Sequence, residues 1–365
     1  MDWPGRNCRY TDSYQGIREV TASHERRYKR IAAYAAIYLL WGGVYLSISV
    51  LVEVLPPFFV AGFRYSVSAF CLLLIALFRC DPLPTTRQLL NAIWTGAAML
   101  AVGYGVVFWA EQRLASWIVA VVASTTFLWT FLGESLLLRS YRFTFTMLLL
   151  LLAGLAGVLL LTWGSPRSHG AISLPVLVVL FGAMCWAGGS LAVKRLEMPQ
   201  SYIQTAATQL AVSGLILLCV SAGLGEGHLL PQVSQMFTSR SILAMAYLVI
   251  AASVVAFTAF HWLIKREPAS MVATSTYVNP AVAMLLGIVV AKERCSSQEM
   301  CGAVVILGST IFIWLLQAQN NLPELNSNGS RSSLNPIESA RSSRRPFVPC
   351  ANSPNGRVPP FSTNE

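Results

Sequence analysis

The sequence is short of charge, because Asp, Glu, Lys and Arg together make up only 12% of its 365 residues. A soluble globular protein carries about 25%. Signatures of common enzyme classes are also missing, since no HExxH, GxSxG or Walker A sequence occurs. The eight cysteines form no CxxC pair, and most lie within apolar stretches. We therefore expect no enzyme activity, no metal site, no disulfide framework, no cofactor and no ATP-driven transport by this chain alone.

Apolar residues, in contrast, account for 55% of the chain and are collected in long blocks. Each block is about 18–24 residues long, which is the length that a helix needs to cross the hydrocarbon layer of a bilayer. We expect an all-α membrane protein whose partner is the lipid bilayer, with ten transmembrane helices at residues 31–51, 57–78, 90–110, 115–138, 144–163, 173–193, 203–224, 241–264, 269–291 and 299–317.

The formal net charge of +10 indicates an orientation rather than a nucleic-acid partner, because the charges lie in the tails and in short loops. If the N-terminus is cytoplasmic, 20 Lys and Arg residues fall inside and five fall outside, with Arg64 within a span. Cytoplasmic loops of membrane proteins carry this excess of positive charge. The distribution predicts that both termini are cytoplasmic, in a multi-pass protein of the cell (inner) membrane.

Two offsets align the first half of the chain with the second half. A shift of 145 residues pairs Trp41 with Trp186, and a shift of 153 pairs Trp109 with Trp262. A unit of five spans has odd parity, so its second copy enters the membrane from the opposite side. The sequence therefore predicts two inverted five-helix repeats, an architecture typical of secondary transporters.

Short motifs in the second half resemble a known family. They include Ala269-Ser270-Met271-Val272-Ala273, Tyr277-Val278-Asn279-Pro280 and Ala291-Lys292-Glu293-Arg294, with Gly302 and Gly308 following. In the first half, Arg64-Tyr65 and the segment 115–161 match the same pattern. The chain resembles EamA-domain transporters of the drug/metabolite transporter superfamily. This resemblance implies a cavity built from the first four spans of each repeat, with the fifth and tenth spans at the periphery.

The predicted organisation has four parts. Residues 1–30 form a basic cytoplasmic tail, 31–163 the first EamA repeat, 173–317 the second repeat, and 318–365 a cytoplasmic tail rich in Ser, Asn, Pro and Arg. Such a composition contains too few apolar residues to form a packed core, so we expect the last part to be disordered.

Ionisable residues within spans are costly and therefore indicate function. Arg64 is predicted to hold an anionic substrate in the cavity; the alternative is an arginine that extends to the membrane surface and pairs with Glu53. Glu134 is a candidate for proton coupling, which would make the proton the coupling ion. Its alternative is a pairing with Arg139 or Arg142 near the headgroups.

Further cavity residues are predicted in the ninth span. Pro280 removes one helical N–H and predicts a kink, while Tyr277 and Asn279 lie beside it. The functional interpretation is a bent helix that lines the substrate cavity. The alternative is a bend packed among neighbouring helices without a ligand.

Tryptophan and histidine complete the predicted site. Trp41 and Trp186 lie away from the span ends, which favours an aromatic wall inside the cavity over an interfacial belt. His261 is the only histidine within a span, and it is a second candidate for proton coupling. A structural histidine with hydrogen-bonded nitrogens is the alternative.

These observations predict a secondary transporter, more precisely an exporter, of small metabolites or drugs that works by alternating access. A small-molecule substrate is thus the expected partner. Two other classes remain open. An intramembrane enzyme would need a catalytic pair on facing spans, and no such pair is recognisable. A non-transporting scaffold or receptor would gain little from an inverted repeat.

Overall fold

A computed structural model of the chain describes residues 27–138, 145–163, 173–226, 238–289, 296–298, 300–309, 311–312 and 315–316. All regular secondary structure in these residues is helical. Residues 1–26 and the whole predicted C-terminal tail, 318–365, lie outside this part, as do Arg139 and Arg142. Leu315 closes the first compact unit of the chain, and the features below all belong to that unit.

Seven helices in the described part are long and apolar enough to cross a membrane. They are α1 (Arg27–Val52), α2 (Pro57–Phe78), α3 (Thr86–Glu111), α4 (Ser116–Leu136), α6 (Leu174–Arg195), α7 (Tyr202–Gly223) and α8 (Ser239–Ile264). The remaining helical stretches are α5 (Phe145–Trp163), α9 (Ala269–Ala273 and Ser275–Val289) and α10 (Met300–Ser309).

Several helix starts follow from local sequence. The Thr85 side chain accepts a hydrogen bond from the backbone N–H of Gln88, and the Gln88 side chain accepts one from the backbone N–H of Thr85. This reciprocal pair satisfies two backbone donors at the start of α3 that have no partner within the helix. Ser201 and Thr238 accept hydrogen bonds in the same way before α7 and α8. Pro57 begins α2, where its missing N–H costs nothing.

Helices α3 and α8 each contain a π-helical segment at mid-length. The segments are Ala97–Tyr104 in α3 and Tyr247–Ala256 in α8. A π-helical turn disrupts the regular i→i+4 ladder of backbone hydrogen bonds, so side chains from elsewhere can bond to the backbone. Trp41 Nε1 donates to the Ala252 carbonyl at 3.2 Å, and Ser253 Oγ donates to the Leu248 carbonyl at 2.9 Å. The segment of α8 is thereby tied to α1.

One end of the helix bundle is closed by polar contacts between helix termini, and we call it the polar end. Arg30 at the start of α1 pairs with Glu267 at 3.6 Å. Lys265, which follows α8, donates to the Pro199 carbonyl at 2.6 Å. Partial burial lowers the pKa of the Lys265 ammonium, and the neighbouring charge of Arg266 lowers it further. Charged side chains at the polar end therefore connect neighbouring helix termini, and some of them are partly buried.

Two details differ from the sequence-based expectations. Helix α1 begins at Arg27, so the last four residues assigned to the basic tail are helical. In α9 the helix is interrupted at Thr274, which the sequence did not predict, and Pro280 lies inside the second helical segment, where the kink stays a prediction. The Thr274 hydroxyl donates to the Met271 carbonyl and contacts the hydroxyl of Tyr38. This local bonding stabilises the interruption at Thr274.

Candidate functional site

Three neighbouring spaces inside the bundle share two lining residues, Trp41 and Trp186. Their volumes are about 290, 420 and 280 Å³. We refer to them together as the central cavity, and to the first as its Arg64 compartment. Within the described residues, the lining side chains come from α1–α4, α6–α9 and none of the other helices. The first four helices of each predicted repeat therefore surround the cavity.

An aromatic cluster forms the middle of this cavity. The rings of Trp41 and Trp186 meet edge to face with centroids 5.9 Å apart. Tyr104 approaches Trp186 to 5.1 Å, and Phe260 lies 5.6 Å from Trp41. Phe257 stacks parallel to Phe260 at 5.9 Å. Edge-to-face and offset arrangements of this kind are the favourable geometries for aromatic pairs, so the two tryptophans predicted from the repeat are held together by their neighbours.

Arg64 is buried beside the aromatic cluster, with 4% of its surface exposed. Its Nε donates to Ser253 Oγ at 3.0 Å, while its Nη1 has no hydrogen-bond partner in the described part of the chain. The guanidinium carbon lies 5.1 Å from the Tyr65 ring centroid and 5.8 Å from that of Phe108. The alternative of an arginine that reaches the membrane surface and pairs with Glu53 does not match this buried position.

Asn279 and Pro280 are both buried in the second segment of α9. Asn279 lines the largest of the three spaces together with Thr276, and no hydrogen bond reaches its Oδ1 from the described residues. The backbone of Tyr277 belongs to the same helix, but its side chain lies outside the described residues. Asn279 therefore adds an open acceptor to a cavity wall that is otherwise largely apolar.

Glu134 lies at the polar end and does not line the central cavity in the described residues. Its two carboxylate oxygens accept hydrogen bonds from the backbone N–H groups of Ala269 and Ser270, at 2.7 and 3.1 Å. Lys194 Nζ approaches the same carboxylate to 3.7 Å. Glu134 therefore compensates the positive N-terminus of α9. Its role in proton coupling stays a prediction.

His261 is fully buried on α8, with its ring edge to face against Phe257 at 4.6 Å and Phe260 at 5.3 Å. The expected alternative was a structural histidine with hydrogen-bonded nitrogens. Neither nitrogen has a hydrogen-bond partner among the described residues. Aromatic packing positions the ring instead, and a role in proton coupling stays a prediction.

The sequence-based interpretation missed Tyr104, Ser253, Phe257 and Phe260 as cavity residues. A signal existed for two of them, because Phe257, Phe260 and His261 are three and four residues apart and share one helical face. Tyr104 carried no such signal. Ser253 carried no recognisable signal, since a single serine in an apolar helix is common. No group of three or more His, Cys, Asp and Glu in the described ranges is arranged to hold a metal ion.

Comparison with known proteins places these observations in a family context. The model of the EamA-like transporter family matches residues 30–163 and 173–315. The inner membrane transporter YedA of Escherichia coli K12 is 34% identical over 285 residues, which are 77% of this chain and 89% of YedA. A WAT1-related chloroplastic protein of Arabidopsis thaliana is 26% identical over 79% of this chain and 68% of its own length. One crystal structure has the same fold, with a TM-score of 0.56 and 21% identity over 79% of this chain and 98% of that chain.

Proposed function

Because the chain belongs to the EamA-like transporter family, we propose that it is a secondary transporter, with export as its direction, of small metabolites or drugs. It acts in the inner membrane as a multi-pass protein and works by alternating access around the central cavity. The observation that carries this proposal is the cavity itself, because its lining comes from helices of both halves of the chain. Transporters of this architecture bind substrate at such an interface between repeats.

The proposed architecture is ten spans in two repeats, residues 31–163 and 173–317. The repeat is supported by helices of the two halves that start and end at a constant offset along the chain. Helix α7 begins and ends 145 residues after α2, and α8 begins and ends 153 residues after α3. A shared side-chain contact supports it further. Arg113 lies over the Trp109 ring at 4.1 Å, and Arg266 lies over the Trp262 ring at 4.4 Å.

Contacts at the polar end support an inverted relation between the repeats. Ser201, which precedes α7, donates to the Asp81 carboxylate at 2.6 Å, and Asp81 follows the end of α2. Arg87 at the start of α3 pairs at 3.7 Å with Glu197, which follows α6. Helix α2 thus ends where its counterpart α7 begins. Helix α4 ends and α9 begins there too, joined by Glu134.

The topology prediction places both termini in the cytoplasm. Reporter fusions after residues 30, 167 and 319 should read inside, outside and inside, because Lys and Arg are concentrated on the inner side of this arrangement. A fluorescent protein that matures only in the cytoplasm and a phosphatase active only outside give complementary readings at each site. A C-terminal fusion that reports from the outer side would contradict both the topology and the inverted repeat.

Alternating access predicts that one cavity residue can be reached from both sides of the membrane. Ala183 on α6 is buried and lines the largest of the three spaces. In a cysteine-free background, Ala183→Cys should react with a membrane-impermeant thiol reagent in both right-side-out and inside-out vesicles. Labelling from only one side would contradict alternating access and favour a static receptor or scaffold.

The neighbouring residue provides the matched control for this experiment. Met184 is 46% exposed on the surface of the bundle that faces away from the cavity, where lipid would surround it. Met184→Cys should remain unlabelled from either side, because a charged reagent does not enter the hydrocarbon layer. Labelling of Met184→Cys at the same rate as Ala183→Cys would mean that the reagent reports on the bundle surface rather than on the cavity.

A further inference from the structure

The Arg64 compartment combines a buried positive charge with aromatic walls. Arg64 forms no ion pair with a carboxylate in the described residues, although a buried guanidinium remains charged. A buried charge is stable only when it is paired or well hydrogen-bonded. The Nε of the guanidinium donates to Ser253. Its Nη1 has no partner among the described residues and remains available as a donor to the compartment that Arg64 lines.

The orientation of this guanidinium is set by α8. Ser253 Oγ donates its own proton to the Leu248 carbonyl within the π-helical segment, so its lone pairs face the Arg64 Nε. The rings of Tyr65 and Phe108 lie against the guanidinium carbon. These contacts hold the planar group in place before a ligand arrives, which lowers the entropy cost of binding.

The rest of the compartment is apolar and aromatic. Trp41, Tyr104, Trp186 and Phe257 supply its rings, and Leu100 and Leu210 its aliphatic surface. None of the described residues that line the three spaces is Asp, Glu or Lys. Among these lining residues an organic cation or the ammonium group of an amino acid would find no carboxylate, whereas a single anionic group would find Arg64.

Given the proposed transport function, on which this inference rests, we propose that the Arg64 compartment binds monocarboxylates with a flat, apolar body. The carboxylate accepts from Arg64 Nη1, and the apolar body packs against the ring pair of Trp41 and Trp186. Hydrogen bonds between charged groups of this kind are shorter and stronger than those between neutral groups. Amino acids and organic cations of the same size are bound less well, because the amine must give up water without a charged partner.

Binding of phenylacetate by the purified full-length chain in lipid nanodiscs tests the inference. Phenylacetamide and phenethylamine have the same ring and nearly the same size, but they are neutral and cationic. Phenylacetate should bind saturably, and each of the other two should compete about ten- to hundredfold more weakly. Equal competition by phenylacetamide, or no saturable binding of phenylacetate, would overturn the inference.

Variants then assign the binding to the guanidinium. Arg64→Gln should weaken phenylacetate binding about ten- to hundredfold, and Arg64→Lys by less, since lysine keeps the charge and loses the planar fork. Arg113→Gln, at an arginine that is exposed and outside the cavity, should bind like the original chain. Elution as a single species with an unchanged melting temperature establishes that each variant is folded. Original affinity in a folded Arg64→Gln chain would overturn the assignment.

The labelling experiment at Ala183 separates this inference from the transport proposal. Double-sided labelling without phenylacetate binding overturns the monocarboxylate site and leaves alternating access standing. Phenylacetate binding through Arg64 with labelling from one side only supports the site and contradicts transport.

Discussion

Replacing Glu134 with alanine is expected to destabilise the chain strongly. The carboxylate is buried and accepts hydrogen bonds from the backbone N–H groups of Ala269 and Ser270. Without it, two buried donors lose their partners, at a cost of about 1–3 kcal/mol for each. The ammonium of Lys194 also loses its nearest carboxylate. The melting temperature of the detergent-purified protein should fall clearly, and the amount recovered from membranes should fall with it.

Two further variants make this expectation specific. Glu134→Gln keeps one oxygen as an acceptor and loses the charge, so its melting temperature should lie between those of the original chain and the alanine variant. Glu197 is 64% exposed and pairs with Arg87 at the surface of the polar end. Surface pairs contribute about 0–1 kcal/mol, so Glu197→Ala should have almost no effect. Equal changes for Glu134→Ala and Glu197→Ala would contradict the assigned role.

The contact made by Glu134 also marks what the sequence cannot specify. A glutamate near the end of a span predicts a pairing near the headgroups, and the nearest basic residues along the chain are Arg139 and Arg142. The partner that the structure places at 3.7 Å is Lys194, and the backbone donors come from α9, 135 and 136 residues further along. Such a contact depends on which helix ends meet, and no local pattern encodes that.

The helices themselves were largely predictable. Helix α2 and the predicted second span share the same bounds, and α7 and α8 start within two residues of their predictions. Long apolar blocks determine spans because an unpaired backbone cannot cross hydrocarbon. The π-helical segments in α3 and α8 were not predicted, because no residue type or spacing in them distinguishes a π-helix from an apolar α-helix. The segment in α8 accepts a hydrogen bond from the Trp41 side chain of α1, a contact that only the folded chain reveals.

Within the candidate site, too, individual residues were predictable from the sequence and their contacts were not. The repeat singled out Trp41 and Trp186, and the structure brings their rings to 5.9 Å. Arg64 was identified by the cost of a charge inside a span, and that cost depends only on its position in the sequence. Its partner Ser253 lies 189 residues away, so the hydrogen bond that orients the guanidinium became visible only in the folded chain.

The crossing of α3 and α6 should tolerate no side chain at Gly182. A Cβ at this position would lie 2.5 Å from the carbonyl oxygen of Gly103, an atom of the backbone that cannot rotate away. Gly182→Ala must therefore push the two helices apart, and overpacking of this kind costs about 1–3 kcal/mol or more. The melting temperature should fall, although alanine favours a helix over glycine by about 1 kcal/mol.

Gly188 on the same helix provides a matched control, because alanine there is not expected to lower the melting temperature. A Cβ there would meet no atom of the described residues within 4 Å, so Gly188→Ala should leave the melting temperature unchanged or raise it slightly. Because Gly103 and Gly182 also line the central cavity, a wider crossing of α3 and α6 would change the shape of the cavity as well as the stability of the chain. Gly182→Ala should therefore also alter the rate at which Ala183→Cys is labelled, whereas Gly188→Ala should not. Equal melting temperatures for the two alanine variants would mean that α3 and α6 can separate at no cost, and the close backbone contact would then not be a constraint on this fold.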